Sequence, residues 1–309
     1  MVTYVGWRSN VSTELQPGIV VVLYRPDEAC IARANRLAEF GECVVVDNTE
    51  RVRTAAELGL KPNIAFIANG ANLGIATALN QGVAHVRRAG CRFVLLFDQD
   101  SEPSEQLLRE LPATLSREVE AGRRVALIGP AYEDIRLGGI APFVRFGFPA
   151  LRRIEADGAQ LIDVDFLITS GSCVNLDAWP VIGAMDDSLF IDFVDLEWCI
   201  RARAAGYRVA GAPWLRLAHE LGGEPVNIMG RSYPSHSPIR HYYMFRNAVA
   251  LMKRRYVPWR WKANELLKMP FRLAIYGIWL KPRRRHLEMA FLGLWHGLTG
   301  RSGPLDSVQ

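Results

Sequence analysis

The sequence has few cysteines and no pattern that would pair them. They are scattered, without a CxxC pair or the spacing of secreted disulfide-rich proteins, at Cys30, Cys43, Cys91, Cys173 and Cys199. This distribution argues against a disulfide framework and predicts buried, reduced thiols in a cytoplasmic protein.

Long hydrophobic runs are also missing. No uninterrupted apolar segment is long enough to cross a bilayer, and residues 1–15 are polar and broken, without the apolar centre of a signal peptide. The sequence therefore predicts a protein that is neither secreted nor membrane-spanning.

The composition is that of a folded globular protein. The chain has 309 residues, of which 50% are hydrophobic and 22% charged. This length suits one large α/β domain with an appendage, or two domains.

Positive charge is concentrated in the last part of the chain. The net charge is +5, but residues 240–309 contain fourteen Lys and Arg against three Asp and Glu, a net of +11, which leaves −6 for residues 1–239. The same part is rich in aromatic residues, namely Trp259, Trp261, Phe271, Tyr276, Trp279, Phe291 and Trp295. Basic and aromatic side chains together suit an anionic membrane surface. The alternative is a set of ordinary amphipathic helices with solvated basic faces. We expect no nucleic acid partner.

Strand-like and helix-like segments alternate through the first 130 residues. This rhythm predicts an α/β fold with a mostly parallel central sheet and helices on both faces. The predicted strands are Ile19–Tyr24, Cys43–Val46, Ile64–Ala68, Phe93–Phe97, Val125–Gly129 and Asp163–Thr169, and the predicted helices are Glu28–Phe40, Ile75–Ala89 and Asp195–Ala205.

Two later stretches lack clean periodicity. Residues 136–149 and 222–238 are rich in Gly and Pro and are predicted to be loops. Helices resume at about Ile239 and are predicted to break at Pro258, Pro270 and Pro282.

Two carboxylates follow the most apolar strand. Asp98 and Asp100 come directly after Phe93–Phe97. Ligands of open α/β sheets bind beyond the carboxyl ends of the strands, and Mg²⁺ or Mn²⁺ is often shared between carboxylates and a substrate diphosphate. The pair therefore favours a metal–phosphate role. The alternative is that Asp100 or Ser101 caps the helix that follows.

Other polar residues belong to the same predicted sheet edge. Asp47 ends the second strand, where a carboxylate can accept from a nucleobase or a ribose; the alternative is a simple turn with Asn48. Asn72 and Gly74 open the helix after the third strand, where free backbone N–H groups favour an anion.

A second acidic cluster contains Asp192, Asp195 and Glu197. Asp195 is placed near the start of its helix, where the helix dipole favours an ionised carboxylate that can act as a general base. Asp192 and Glu197 are rivals for that role, and one of the three acids can simply cap the helix.

Basic residues near position 240 suit a diphosphate. Arg240, Tyr243 and Asn247 recur at helical spacing, and Arg246 adjoins that face. Arginine binds phosphate oxygens through bidentate hydrogen bonds. His219 stands alone, as a packed histidine or as a ligand.

With these residues placed, the chain resembles the family 2 glycosyltransferases of the GT-A (Rossmann-like) fold, and among them the bacterial rhamnosyltransferases. The resemblance runs from about Pro17 to Arg255. Its most specific part is the combination of Asp-Gln-Asp-Ser at 98–101, Asp-x-Glu-Trp-Cys at 195–199 and Tyr-Tyr-x-x-Arg-Asn at 242–247.

The resemblance implies a nucleotide-sugar site. Asp98 and Asp100 correspond to the DXD pair, which bridges ribose, a divalent metal (Mg²⁺ or Mn²⁺) and the diphosphate. Asp47 corresponds to the nucleobase-recognition acid, helped by Tyr24. Asn72 and Gly74 are expected to line the nucleotide side.

The resemblance also implies the catalytic groups. Asp195 matches the base that deprotonates the acceptor. The usual preceding Glu is replaced here by Val194, so we expect Asp192 to compensate. His219 matches a histidine that approaches the metal or the diphosphate. Arg246 is expected to neutralise the leaving group, and Arg240 to bind on the same nucleotide side.

The expected function is inverting transfer of a sugar, with dTDP-L-rhamnose as the first candidate donor. The expected acceptor is a lipid-linked or polysaccharide acceptor of the cell envelope. Residues 1–239 are predicted to form the catalytic domain, and residues 240–309 a helical extension that contacts the inner face of the cytoplasmic membrane. A nucleotidyltransferase is the enzymatic alternative, but the first strand is not followed by a Gly-rich basic loop. The second alternative is a non-catalytic protein that binds a nucleotide sugar.

Overall fold

The computed structural model describes residues 16–134, 139–218, 223–228 and 231–305, with the backbone only at residues 134, 223–228 and 231–235. The strands are β1 (Gly18–Leu23), β2 (Glu42–Asp47), β3 (Ala65–Ala68), β4 (Phe93–Asp98), β5 (Glu102–Pro103), β6 (Val125–Asp134), β7 (Gly139–Ile140), β8 (Phe143–Arg145), β9 (Arg152–Ile154), β10 (Ile162–Asp163), β11 (Cys173–Asn175), β12 (Arg208–Ala218), β13 (Gly223–Ile228) and β14 (Arg231–Ser235). The helices are α1 (Glu28–Leu37), α2 (Ala55–Leu58), α3 (Ile75–Arg88), α4 (Glu105–Glu120), α5 (Trp179–Ile182), α6 (Val194–Ala204), α7 (Pro238–Met252), α8 (Trp259–Ile278) and α9 (Arg283–Thr299).

The main sheet has the strand order β10-β12-β6-β11-β4-β1-β2-β3. β4, β1, β2 and β3 run parallel to one another, and β6 runs parallel to β12. β11 is antiparallel to both β4 and β6, and β10 is antiparallel to β12. The predicted mostly parallel sheet is confirmed. Its parallel half brings the carboxyl ends of β1, β2 and β4 to one edge.

Both faces of the sheet are covered, because alternate residues of each strand point to opposite sides. Val20 and Val22 of β1 pack with α3 and α6 in one apolar core. Ile19 and Val21 pack with α1 and α4 in another. The prediction of helices on both faces is therefore confirmed.

The last helices form a third core and pack closely. A Cβ at Gly293 of α9 would lie 2.3 Å from the Tyr242 carbonyl oxygen of α7, so the two backbones approach in a way that only glycine permits. Pro258 and Pro282 directly precede α8 and α9, as predicted, but α8 continues through Pro270, so the predicted break there is wrong. Within the described part of the chain, none of the helices combines the length and apolarity that crossing a bilayer requires.

Two predicted loops contain short strands. β8 lies within residues 136–149, and β13 and β14 pair within residues 222–238. Conversely, the strand predicted at Asp163–Thr169 is limited to β10. β8 and β10 are only three and two residues long, and β13 and β14 form a hairpin within a segment that contains Gly and Pro, so local periodicity does not reveal them.

Candidate active site

Three predicted site residues lie at the ends of adjacent strands. Leu23 of β1 pairs with Asp47 of β2, and Val22 pairs with Asp98 of β4. Tyr24 follows β1 directly; its N–H donates to Gln99 Oε1 at 2.8 Å. The sheet therefore gathers Tyr24, Asp47 and Asp98 at one edge.

Two buried hydroxyl groups stabilise the turn after β4. Ser101 and Ser170 are each 1% exposed, and their Oγ atoms are hydrogen-bonded to each other. Ser170 Oγ also accepts from the Asp98 N–H at 3.2 Å. The sequence analysis did not identify Ser170, because its contact with the Asp98 turn joins residues 72 apart.

The acids of this turn are not used as a helix cap. Ser104 caps α4, its Oγ accepting from the Leu107 N–H at 3.2 Å. The capping alternative for Asp100 and Ser101 is therefore excluded. Asp98 is half-buried and Asp100 is exposed, as expected for carboxylates that meet a ligand at the surface.

Asp47 is enclosed rather than open. It is 1% exposed, its Oδ1 accepts from the Thr49 N–H at 3.0 Å, and its Oδ2 accepts from Arg53 at 2.9 Å. The simple-turn alternative is thus realised, although the turn closes on Thr49 and not on Asn48. Arg53 Nε is buried without a hydrogen-bond partner in the described part of the chain. Arg53, which the sequence analysis missed, therefore brings an unused donor to this edge.

The start of α3 is already partly satisfied. The Gly74 N–H donates to Asn72 Oδ1 at 3.1 Å, and the Ile75 N–H donates to the Phe190 carbonyl at 2.8 Å. Gly74 has φ +86°, and a Cβ there would lie 2.6 Å from the Phe190 oxygen. These two N–H groups are therefore not free to bind an anion, and the prediction of an anion site is wrong for them. Gly74 is instead required for close packing, and Asn72 closes the turn before it.

Glu197 does not qualify as a base. It is 0% exposed, and Arg201 binds both of its oxygens at 2.8 Å. Tyr256 also donates to it at 2.5 Å. A carboxylate held in this way has no oxygen turned towards an acceptor.

Asp192 is also engaged. Its Oδ1 accepts from Arg240 Nη2 at 2.5 Å and its Oδ2 accepts from Arg240 Nε at 3.3 Å. The hydrogen bond and charge of Asp192, together with the charges of Asp98 and Asp195, outweigh the effect of burial and raise the pKa of Arg240. Arg240 thus lies within the electrostatic range of all three acids.

Asp195 is the acid left available. Its Oδ1 accepts from the Leu196 N–H at 2.7 Å, and no side chain in the described part of the chain forms a hydrogen bond or ion pair with it. Burial, with the nearby charges of Asp192 and Asp98, raises its pKa to about 6. A half-buried carboxylate with that pKa is mostly ionised at pH 7 and still basic enough to take a proton.

The structure corrects the prediction for Arg246. Its side chain is 1% exposed and donates to the Ser188 carbonyl at 3.1 Å and the Leu189 carbonyl at 2.8 Å. It also donates to the Gly303 carbonyl. A guanidinium enclosed in this way does not reach a leaving group in solvent.

The metal prediction rests on two carboxylates. His219 lies outside the described residues. Among the residues described, no group of three or more His, Cys, Asp or Glu side chains could hold a metal ion. Asp98 and Asp100 nevertheless fit a divalent metal, because Mg²⁺ is usually bound through one or two carboxylates together with substrate phosphates.

Residues 28–157 match the family model described as glycosyl transferase family 2. Over these residues the chain is similar to the family 2 glycosyltransferases. The dTDP-rhamnosyl transferase RfbF of Shigella flexneri is 28% identical, over 92% of this chain and 96% of its own length. The low-salt glycan biosynthesis hexosyltransferase Agl10 of Haloferax volcanii is 21% identical, over 92% of each chain. The chain is a glycosyltransferase, and the predicted resemblance is confirmed.

Solved structures confirm the GT-A fold. S. aureus TarS 1–349 in complex with UDP-GlcNAc superimposes with a TM-score of 0.54 at 12% identity, over 91% of this chain and 81% of that chain. GalNAc-T7 with UDP, GalNAc and Mn²⁺ also gives a TM-score of 0.54, at 13% identity over 93% of this chain; this chain spans 56% of GalNAc-T7. These likenesses concern the fold alone.

Proposed function

We propose that this glycosyltransferase is an inverting enzyme that moves L-rhamnose from dTDP-L-rhamnose to a hydroxyl of a cell-envelope saccharide. The observation that carries the donor assignment is the 28% identity to a dTDP-rhamnosyl transferase along 96% of that protein. Inversion is supported by the availability of one acid, Asp195, because a single displacement needs one base and no nucleophilic partner.

In this proposal the nucleotide lies across the carboxyl ends of β1, β2 and β4. Tyr24 is 38% exposed and offers its ring as a surface beside the base. Arg53, whose side chain is 20% exposed and is held by Asp47, offers its guanidinium beside the nucleobase. Both contacts are compatible with thymine.

The chemistry at the sugar is proton transfer with displacement. Asp195 accepts the proton of the acceptor hydroxyl while that oxygen attacks the anomeric carbon from the face opposite the diphosphate. Arg240, held by Asp192, supplies fixed positive charge near the three acids. Asp98 and Asp100 would hold Mg²⁺ or Mn²⁺ against the diphosphate, where a divalent ion offsets the charge that develops on the leaving group.

The donor assignment is tested by binding and by transfer. With Mg²⁺ or Mn²⁺ present, dTDP-L-rhamnose is expected to raise the Tm more than UDP-GlcNAc or GDP-mannose at equal concentration, because a ligand stabilises the state that binds it. Radiolabelled L-rhamnose is expected to enter a solvent-extractable lipid-linked saccharide. Stronger stabilisation by another nucleotide sugar would replace the donor, and binding without transfer would favour a non-catalytic protein.

We propose further that the C-terminal helices contact an anionic bilayer and so give access to a lipid-linked acceptor. α8 and α9 expose large apolar side chains: Phe271 is 71% exposed and Trp295 is 63% exposed. The run Arg283–Arg285 at the start of α9 is exposed as well. Together with the net charge of +11 in residues 240–309, this face has the composition of an interfacial helix pair.

Replacing Arg283, Arg284 and Arg285 by Ala is expected to weaken binding to vesicles of phosphatidylglycerol and phosphatidylethanolamine. Each basic residue near an anionic surface contributes about 1 kcal/mol, so the loss is up to about a hundredfold at low salt. Sedimentation with vesicles measures it, with phosphatidylcholine vesicles as reference. The triple variant Arg51→Ala, Arg87→Ala and Arg88→Ala, exposed elsewhere, is the matched control. Equal partitioning of both triple variants would favour solvated helices.

A further inference from the structure

The segment that leads into Asp195 has an unusual backbone. Phe190, Asp192 and Phe193 each have φ +64°, and none of them is glycine. A left-handed conformation costs a residue with a Cβ roughly 1–2 kcal/mol, so the surrounding structure must hold this segment in place. Such strain is concentrated at functional sites, and here it ends two residues before the candidate base.

Two buried side chains of α7 hold this segment in place. Asn247 is 0% exposed, and its Nδ2 donates to the carbonyls of Leu189 at 2.9 Å, Ile191 at 2.7 Å and Asp192 at 3.0 Å. Arg246 donates to two carbonyls of the same segment, as described above, and its Nε donates to Asn247 Oδ1 at 2.9 Å. The segment's carbonyls therefore find on α7 the partners that a helix or a sheet would otherwise provide.

The segment also contacts the start of α3 and Tyr243 of α7. The Phe190 carbonyl accepts from the Ile75 N–H of α3, and the Phe190 ring stacks on Tyr243 with 5.0 Å between centroids. The segment thus lies between α3 and α7, and α6 with Asp195 begins where it ends. A shift at residues 188–193 changes the position of the base relative to the donor.

We propose that Arg246 and Asn247 are positioning residues for sugar transfer, which fix residues 188–193 and thereby aim Asp195 at the acceptor. This inference rests on the proposed function. It assigns Arg246 a part in placing the base, in place of a direct contact with the leaving group. Neither residue touches substrate, so both act through Asp195.

Asn247→Leu is the sharpest test, because it keeps the branched shape and the number of side-chain heavy atoms, changes no charge and removes the donors to three carbonyls. A misplacement of about 1 Å can cost about a hundredfold in rate, so kcat is expected to fall about ten- to a hundredfold. The Kd for dTDP with Mg²⁺ is expected to change less than twofold. Arg246→Lys is a milder change that keeps the charge and loses the planar fork. It is also expected to lower kcat.

Lys253→Met is the matched control. Lys253 follows α7, and its Nζ also donates to two carbonyls at 2.7 Å, but those belong to Gly297 and Leu298 of α9. Its loss is expected to lower the Tm while leaving kcat and its pH profile unchanged. In Asn247→Leu, by contrast, the pH at which kcat is half-maximal is expected to move below that of the wild type, because a displaced Asp195 is more hydrated.

Amide hydrogen exchange at residues 188–195 separates this inference from the proposed function. If exchange at these residues is faster in Asn247→Leu and Arg246→Lys but not in Lys253→Met, then Arg246 and Asn247 fix residues 188–193. This conclusion would stand even if neither the wild type nor any variant transferred sugar. Unchanged exchange with wild-type kcat would overturn it. A Kd for dTDP that rises tenfold in Arg246→Lys, with exchange unchanged, would overturn it in favour of a direct contact with the diphosphate.

Discussion

Asp195→Asn is expected to lower kcat about a thousandfold while leaving the Kd for dTDP nearly unchanged. General base catalysis contributes typically about 10²- to 10⁴-fold, and an amide cannot accept the proton. Asp192 and Glu197 cannot replace the lost base, because Arg240 holds the first and Arg201 and Tyr256 hold the second. Single-turnover rates of rhamnose transfer, with dTDP affinity measured separately, check both parts.

The same residue is expected to set the pH dependence of transfer. The pKa of Asp195 is raised to about 6 and the base must be ionised, so kcat is expected to be half-maximal near that pH and to rise to a plateau above it. One unit below the pKa, the rate is expected to be about tenfold lower. The residual rate of Asp195→Asn is expected to lack this inflection.

Loss of the carboxylate is also expected to stabilise the protein. A carboxyl whose pKa is higher in the folded state than in the unfolded state binds its proton more tightly when folded. Its contribution to stability is therefore present below about pH 4 and lost as the pH rises through about 6. At pH 7 the buried charge is an unfavourable feature, and Asp195→Asn is expected to raise the free energy of unfolding by about 1–3 kcal/mol. Activity and stability thus move in opposite directions.

Asp192→Asn is the matched control for the assignment of Asp195 as the base. It removes the charge that holds Arg240 and one of the charges that raise the pKa of Asp195. Transfer is expected to continue, with the half-maximal pH shifted downwards. If Asp192→Asn were inactive and Asp195→Asn were near wild type, the base would have to be reassigned to Asp192.

The features that the sequence predicted most accurately are those that depend on short-range patterns of residues. The five apolar residues of Phe93–Phe97 identified β4 and so placed Asp98 at the sheet edge, and the predicted helix Asp195–Ala205 matches α6 within one residue at each end. Both signals are local, because strand burial and helix termination are encoded within a few residues.

Contacts between distant parts of the chain were not predictable in this way. Arg246 was expected to reach the leaving group, but it is buried and donates to the carbonyls of Ser188 and Gly303, which lie 58 and 57 residues away. The left-handed residues before Asp195 carry no glycine to mark them. The sequence named Asp195 as the base, but only the structure shows that its rivals are engaged: Arg240 binds Asp192 from 48 residues away, and Tyr256 binds Glu197 from 59 residues away.

Glu197→Ala is expected to lower the free energy of unfolding by about 3–5 kcal/mol, since breaking a buried ion pair leaves its partner charges uncompensated. The carboxylate is 1% exposed and binds Arg201 at 2.8 Å, while Arg254 Nη1 lies 3.3 Å from it. Tyr256 loses an acceptor in the same change. Arg254 in turn pairs with Asp186, so the effect reaches the turn before the strained segment. Chemical denaturation monitored by tryptophan fluorescence measures the loss.

Glu288→Ala is the contrasting control, because its side chain is 42% exposed and its partner Arg284 is 92% exposed on the same helix face. Exposed pairs of this spacing contribute about 0.3–0.5 kcal/mol, so almost no change is expected. In Glu197→Ala, the fraction that remains folded at low temperature is expected to keep kcat within about threefold, since this carboxylate faces arginines and not the acceptor. A stable Glu197→Ala protein without transfer activity would mean that Glu197, and not Asp195, takes the proton.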